Sequence, residues 1–249
     1  MNTSVNTATQ PIPMPQADAW VQAITDRHRP ISQRGNDLDL APHDRDNTGY
    51  EPMHCFALLA HLRPPAGRVL DWLHTGGRNG HPFLYWRDAH AAPHTHTEQL
   101  KAEPGWRHDQ DMRQAVAEPV QTDGSPQGWL QLVLLRLLAG NTLLRWHSAY
   151  NSVTLICSQD ELRSQVEWQC AGKSFTQNMN AATARAALAL DVTPTVDLSD
   201  PHTARVGITR FSPWGGFYRQ SWAMNRQGAH ALRLEGEVQQ VRYDCGVRF

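Results

Sequence analysis

His94, His96 and Glu98 alternate in the run Pro93-His94-Thr95-His96-Thr97-Glu98, which brings two imidazoles and a carboxylate close together in sequence. These ligand types suit zinc, iron or manganese. In an extended chain, residues i, i+2 and i+4 point the same way, so the three side chains would converge on one divalent metal. Asp88, His90 or His108 would supply a further ligand. The spacing does not match familiar metal patterns: an HxHxDH hydrolase has Asp and His where this chain has Glu98 and Gln99. The competing expectation is a solvated loop, because the Ala, Pro and Thr residues around these positions bury little.

Eight of the thirteen histidines fall between His54 and His108, in two populations. His54 and His61 belong to an apolar stretch and His74 and His81 to an expected hairpin, which leaves His90, His94, His96 and His108 in a polar connection. Four cysteines (Cys55, Cys157, Cys170 and Cys245) show neither a CxxC pair nor the spacing of a disulfide framework. Cys157, Cys170 and Cys245 fall on the apolar faces of expected strands, where a buried, inert thiol is the ordinary outcome. These features point to a reducing, cytoplasmic compartment.

A second group of residues lies near the carboxyl end. Seven arginines between 201 and 249 outnumber Glu235, Glu237 and Asp244 by four charges, although the chain as a whole carries only −1. Arg210, Arg219 and Arg242 with Phe211, Trp214, Phe217, Tyr218 and Trp222 are the ingredients of single-stranded nucleic-acid binding. Tyr218 and Trp222 lie on one face of a strand, and Phe217 and Arg219 on the other, so one of the two faces must be core. A different use of these residues is a pocket for a small molecule. Trp214, Tyr218 and Trp222 would line or rim it, and Arg219 would anchor a carboxylate or phosphate. In the turn Trp214-Gly215-Gly216, adjacent glycines allow close approach of a ligand or partner.

No phosphate loop, dinucleotide fingerprint, nucleophile elbow or pair of catalytic acids is present. The expected function is therefore non-catalytic: a soluble binding or accessory protein for a small molecule or protein partner. A metal-dependent enzyme at His94, His96 and Glu98, and nucleic-acid binding at the carboxyl-terminal sheet, are the alternatives. Membrane insertion is not expected, because the longest apolar run, 130–139, is broken by Gln131 and Arg136.

The elements that must carry these residues follow from periodicity and punctuation. Residues 1–16 are polar with prolines at 11, 13 and 15 and read as a disordered arm, and 17–249 read as one domain with an internal boundary near 119–128. Helices are expected at 17–28, 109–118 and 129–139, with another capped by Asn180 and reaching Leu190. The stretch 53–62 is helix or strand, and 68–74 with 82–87 form a hairpin. Strands are expected at 142–148, 152–158, 162–170, 205–211, 217–224 and 230–238. A last strand at 240–249 has Val241, Tyr243, Cys245, Val247 and Phe249 on one face, so the carboxyl end should be docked. The fold class is α+β and β-rich: an antiparallel sheet or partly closed barrel in the carboxyl-terminal half, with helices packed against it.

Overall fold

Short apolar runs, separated by prolines, glycines and capping residues, divide the chain into brief elements. The structure, a computed structural model, describes residues 10–11, 51–74, 82–102, 112–138, 154–172 and 177–247. In chain order the strands are β1 (Gln10–Pro11), β2 (Leu62–Arg63), β3 (Arg68–His74), β4 (Pro82–Asp88), β5 (Gln121–Thr122), β6 (Thr154–Ile156), β7 (Thr195–Asp197), β8 (Thr203–Ser212), β9 (Gly216–Asn225) and β10 (Leu232–Arg242). The helices are α1 (Pro52–Phe56), α2 (Thr97–Lys101), α3 (Met112–Ala117), α4 (Pro126–Leu138), α5 (Gln159–Cys170) and α6 (Ala181–Leu188). The expected helix 17–28 and strand 142–148 lie outside the described residues.

The chain divides into two compact units, one of residues 1–19, 150–224 and 233–249 and the other of 20–149 and 225–232. The first holds the main sheet, whose order is β1-β7-β8-β9-β10 with β6 pairing to β8. β7 and β6 follow one another along one flank of β8: Val196 opposes Val206, and Leu155 opposes Arg210. Gln10 and Pro11 pair with Val196 and Thr195. The path runs from β1 to β10 without closing, so among the described residues this is an open antiparallel sheet and not a barrel.

Helices α5 and α6 cover this sheet through Leu162, Val166 and Ala187, which pack with Ile156, Phe211 and Phe217. Phe211 and Phe217 meet at 4.8 Å between ring centres and are fully buried. Both helices begin on side-chain caps: Ser158 accepts from the Glu161 N–H at 3.0 Å, and Asn180 from the Thr183 N–H at 2.8 Å.

Two expectations need correction. Residues 162–170 form the second part of helix α5, not a strand. The alternation of Val166, Trp168 and Cys170 is not a buried face, because Trp168 is 59 % exposed and Cys170 is exposed; the packed positions are Leu162 and Val166, one helical turn apart. At the carboxyl end β10 stops at Arg242, and 243–247 are not strand. Burial still alternates, at Val241, Tyr243 and Cys245. Those residues fold over the β8–β9 turn instead: Cys245 N–H donates to Pro213 O at 2.9 Å, and Tyr243 N–H to Gly215 O at 3.3 Å. Tyr243 and Cys245 are docked, but on a turn and not on a neighbouring strand, and Phe249 lies outside the described residues.

The second unit is built on the hairpin β3–β4, paired from Arg68↔Asp88 to His74↔Pro82 as the sequence suggested. Helix α4 is buried all round, from Gly128 to Leu135, which explains why its sequence lacks a polar face. Trp86 donates to Val116 O at 2.7 Å and meets Phe56 edge-on at 5.4 Å, tying β4 to α3 and α1. Residues 119–128, the candidate boundary, lie inside this unit, where β5 pairs with β2 and leads into α4. Among the described residues no helix is long and apolar enough to cross a membrane.

Candidate functional site

The four expected ligand residues do not gather in one pocket. Trp214, in the turn between β8 and β9, packs against the core and donates from Nε1 to Val247 O at 3.3 Å. Trp222 is 6 % exposed and donates to Gln220 Oε1 at 3.1 Å. Gly215 and Gly216 accommodate the chain itself. A Cβ on Gly216 (φ +94°) would fall 2.1 Å from Val241 O, and one on Gly215 would fall 2.1 Å from the Tyr218 hydroxyl.

Tyr218 joins a polar network across β8, β9 and β10. Arg210 lies over its ring at 4.3 Å from the centroid and grips Glu237 with two bonds, of 2.8 and 2.7 Å. Gln220 donates to the same carboxylate at 2.6 Å, and Gln239 donates to the Tyr218 hydroxyl at 3.2 Å. The Arg210 hydrogen bond is the largest cause holding the Glu237 carboxyl below its usual range, against the opposing effect of burial.

Arg219, the next residue in β9, projects to the opposite side. Its guanidinium crosses β8 and donates to Thr209 Oγ1 at 3.2 Å and Thr195 Oγ1 at 3.1 Å. Gly207 makes the crossing possible, since a Cβ there would fall 2.5 Å from Thr195 Oγ1 and 2.8 Å from an Arg219 nitrogen. Burial pulls the Arg219 pKa below its ordinary value, and the charges of Asp191 and Cys157 only partly offset this. Among the described residues no carboxylate comes within the 4.0 Å of an ion pair. The half-buried cation is therefore held by neutral hydroxyls, an unusual arrangement, because buried charge is ordinarily matched by charge.

His94, His96 and Glu98 have separate roles. The His94 ring stacks on Tyr85 at 4.6 Å, and the His94 backbone N–H donates to the Tyr85 hydroxyl at 2.8 Å. His96 precedes α2, its N–H donating to Gln99 Oε1 at 3.0 Å, and Glu98 pairs with Lys101 at 2.7 Å. Among the described residues no three His, Cys, Asp or Glu side chains form a group able to hold a metal ion. His108 lies outside them. Of the stacking residues considered for nucleic acid, Phe211, Phe217 and Trp222 are core, and Arg242 remains exposed.

Two constellations escaped the sequence reading. Asp71, buried in β3, accepts from the Trp72 N–H at 2.8 Å and from Arg87, its ion-pair partner across the hairpin. Arg87 also donates to Ala91 O at 2.7 Å and so holds the loop that leads to His94. The signal was a carboxylate in the middle of the apolar strand Val69-Leu70-Asp71-Trp72-Leu73. The second is His61, Asp123 and Ser125. His61 Nδ1 lies 2.7 Å from Asp123 Oδ2, and Ser125 Oγ donates to Asp123 Oδ1 at 2.6 Å. Despite the residue types this is not a nucleophilic triad. A triad needs the hydroxyl at the other ring nitrogen, whereas Ser125 Oγ stands 3.4 Å from the same Nδ1 and accepts from the Gly128 N–H at 3.1 Å as the cap of α4. Ser125-Pro126, a cap residue before proline, was its legible sign.

Comparison of the chain with protein-family models, with curated proteins and with solved structures finds no match.

Proposed function

We propose that this chain is a non-catalytic binding protein of the cytoplasm whose ligand is a small molecule bearing a planar anion, taken up at Arg219. One observation carries the reading: a half-buried guanidinium satisfied by two hydroxyls, with no carboxylate at ion-pair distance among the described residues. An incoming anion supplies the missing charge, and the fork of the guanidinium matches a carboxylate. Thr195 accepts from Arg219 through its oxygen and keeps a hydroxyl proton to donate to the same ligand, while Thr209, fully buried, holds the guanidinium in place. Asp191 acts on Arg219 from further away, and its own carboxylate accepts from the Thr193 N–H at 3.0 Å. That negative neighbour disfavours a dianion, so a monoanionic carboxylate is preferred to phosphate. The cytoplasmic placement is supported by four cysteines that are not joined in disulfides. Tyr218 and Trp222 take no part in this site.

Calorimetric titration with benzoate and with inorganic phosphate tests the proposal. Saturable benzoate binding is expected, weakened at least about tenfold in Arg219→Met, which keeps the apolar stem and loses the charge-assisted bonds. Absence of saturable binding in the wild type, or equal binding by the variant, overturns it.

A further inference from the structure

β10 ends the strand order of the main sheet, and Arg233 to Gln240 are exposed along it, with the Glu235 and Glu237 side chains partly covered by Arg205 and Arg210. Strand edges in folded proteins are commonly blunted by proline, lysine or cover. β10 has no proline or lysine, and it carries two of the large exposed apolar side chains, Leu234 (43 %) and Val238 (66 %). Between them Gly236 has no atom within 4 Å of where a Cβ would stand. The strand is nonetheless fixed in place, with Glu235 bonded to Arg205 and Glu237 gripped by Arg210. An edge that is fixed and, among the described residues, uncovered is a template for another strand.

The charges along the edge indicate what occupies it. We propose that two copies of this chain pair antiparallel through β10, about a two-fold axis at Glu235. In that register Arg233, whose side chain is 73 % exposed, opposes Glu237 of the other copy, and the pair occurs twice by symmetry. Leu234 packs over the open space at the other copy's Gly236, and Val238 falls against the start of the other β10. Glu235 faces its own counterpart at the axis, where Arg205 at 3.1 Å neutralises it in each copy and leaves Arg233 for the other copy's Glu237. The strand is thus complementary in charge and shape to itself, and the inference stands independently of Arg219.

Light scattering on the eluting full-length chain tests it. The expected mass is twice the 28.0 kDa of one chain at micromolar concentration. Arg233→Glu places like charges against Glu237 and should raise the dissociation constant at least about tenfold, with an unchanged circular dichroism spectrum showing that the exposed substitution leaves the fold intact. The register is read by cysteine cross-linking in a Cys170→Ser background, which removes the exposed native thiol. Glu235→Cys should form a disulfide-linked dimer under mild oxidation, and Gln240→Cys should not. A monomeric wild type, a dimer indifferent to Arg233→Glu, or cross-linking at 240 in place of 235 overturns the proposal.

Discussion

Glu237 accepts hydrogen bonds from both Arg210 and Gln220, and its side chain is only 28 % exposed. Its pKa is depressed from the ordinary 4.5, chiefly by the Arg210 hydrogen bond. A carboxyl with a lowered folded pKa contributes stability that is fully present above its unfolded value and lost as the pH falls through the folded one. Glu237→Gln should therefore cost about 1–2 kcal/mol near neutrality, with the gap to the wild type narrowing once the pH drops below 4.5. Urea midpoints measured across that range check this. A gap that stays constant with pH would mean that packing, not charge, holds the residue. Arg219 presents the opposite case: Glu237 has its counter-charge built in, whereas Arg219 has hydroxyls.

At the scale of elements, helix α5 shows how local chemistry overrides an apolar pattern. Val166, Trp168 and Cys170 alternate in sequence, but Ser158-Gln159-Asp160-Glu161 spells a helix start, and its serine cap is used. Ser158 Oγ takes the Glu161 N–H at 3.0 Å, and Glu161 Oε2 takes the Cys157 N–H at 2.7 Å. Ser158→Ala should lower stability by about 1 kcal/mol, read from thermal unfolding, and Ser158→Asp should restore most of it because aspartate caps as well as serine. Equal loss in both variants would rule out capping as the cause. The hairpin β3–β4, the Asn180 cap and the β8–β10 meander were legible because each is fixed by neighbours in sequence. The Arg219 site was not: Thr195 and Thr209 reach the guanidinium only because β7 and β9 flank β8, an adjacency set by sheet order. His94, His96 and Glu98 do not form a metal-holding group among the described residues for a related reason. Their alternation matters only in an extended strand, and the chain turns into α2 at Thr97.

For the whole molecule, the division into two units puts separate cores in one chain. Phe211, Phe217, Leu162 and Tyr243 pack together in one, while α4 with Leu130, Leu132 and Leu134 forms the buried centre of the other. Cooperative opening follows buried contacts, so each core should protect its own amides. Phe217 has no exposed surface, and Phe217→Ala removes an aromatic ring from the first core at a cost of about 3–5 kcal/mol. Hydrogen exchange in this variant should accelerate in β8, β9 and α5 and remain at the wild-type rate in β3, β4 and α4. Conversely, Leu134→Ala should speed exchange in α4 and the hairpin and leave α5 unchanged. The chain changes unit four times, after 19, 149, 224 and 232, the last two within β9 and β10. If either substitution accelerates exchange equally in both units, the two cores open as one cooperative fold, and the division is one of packing alone.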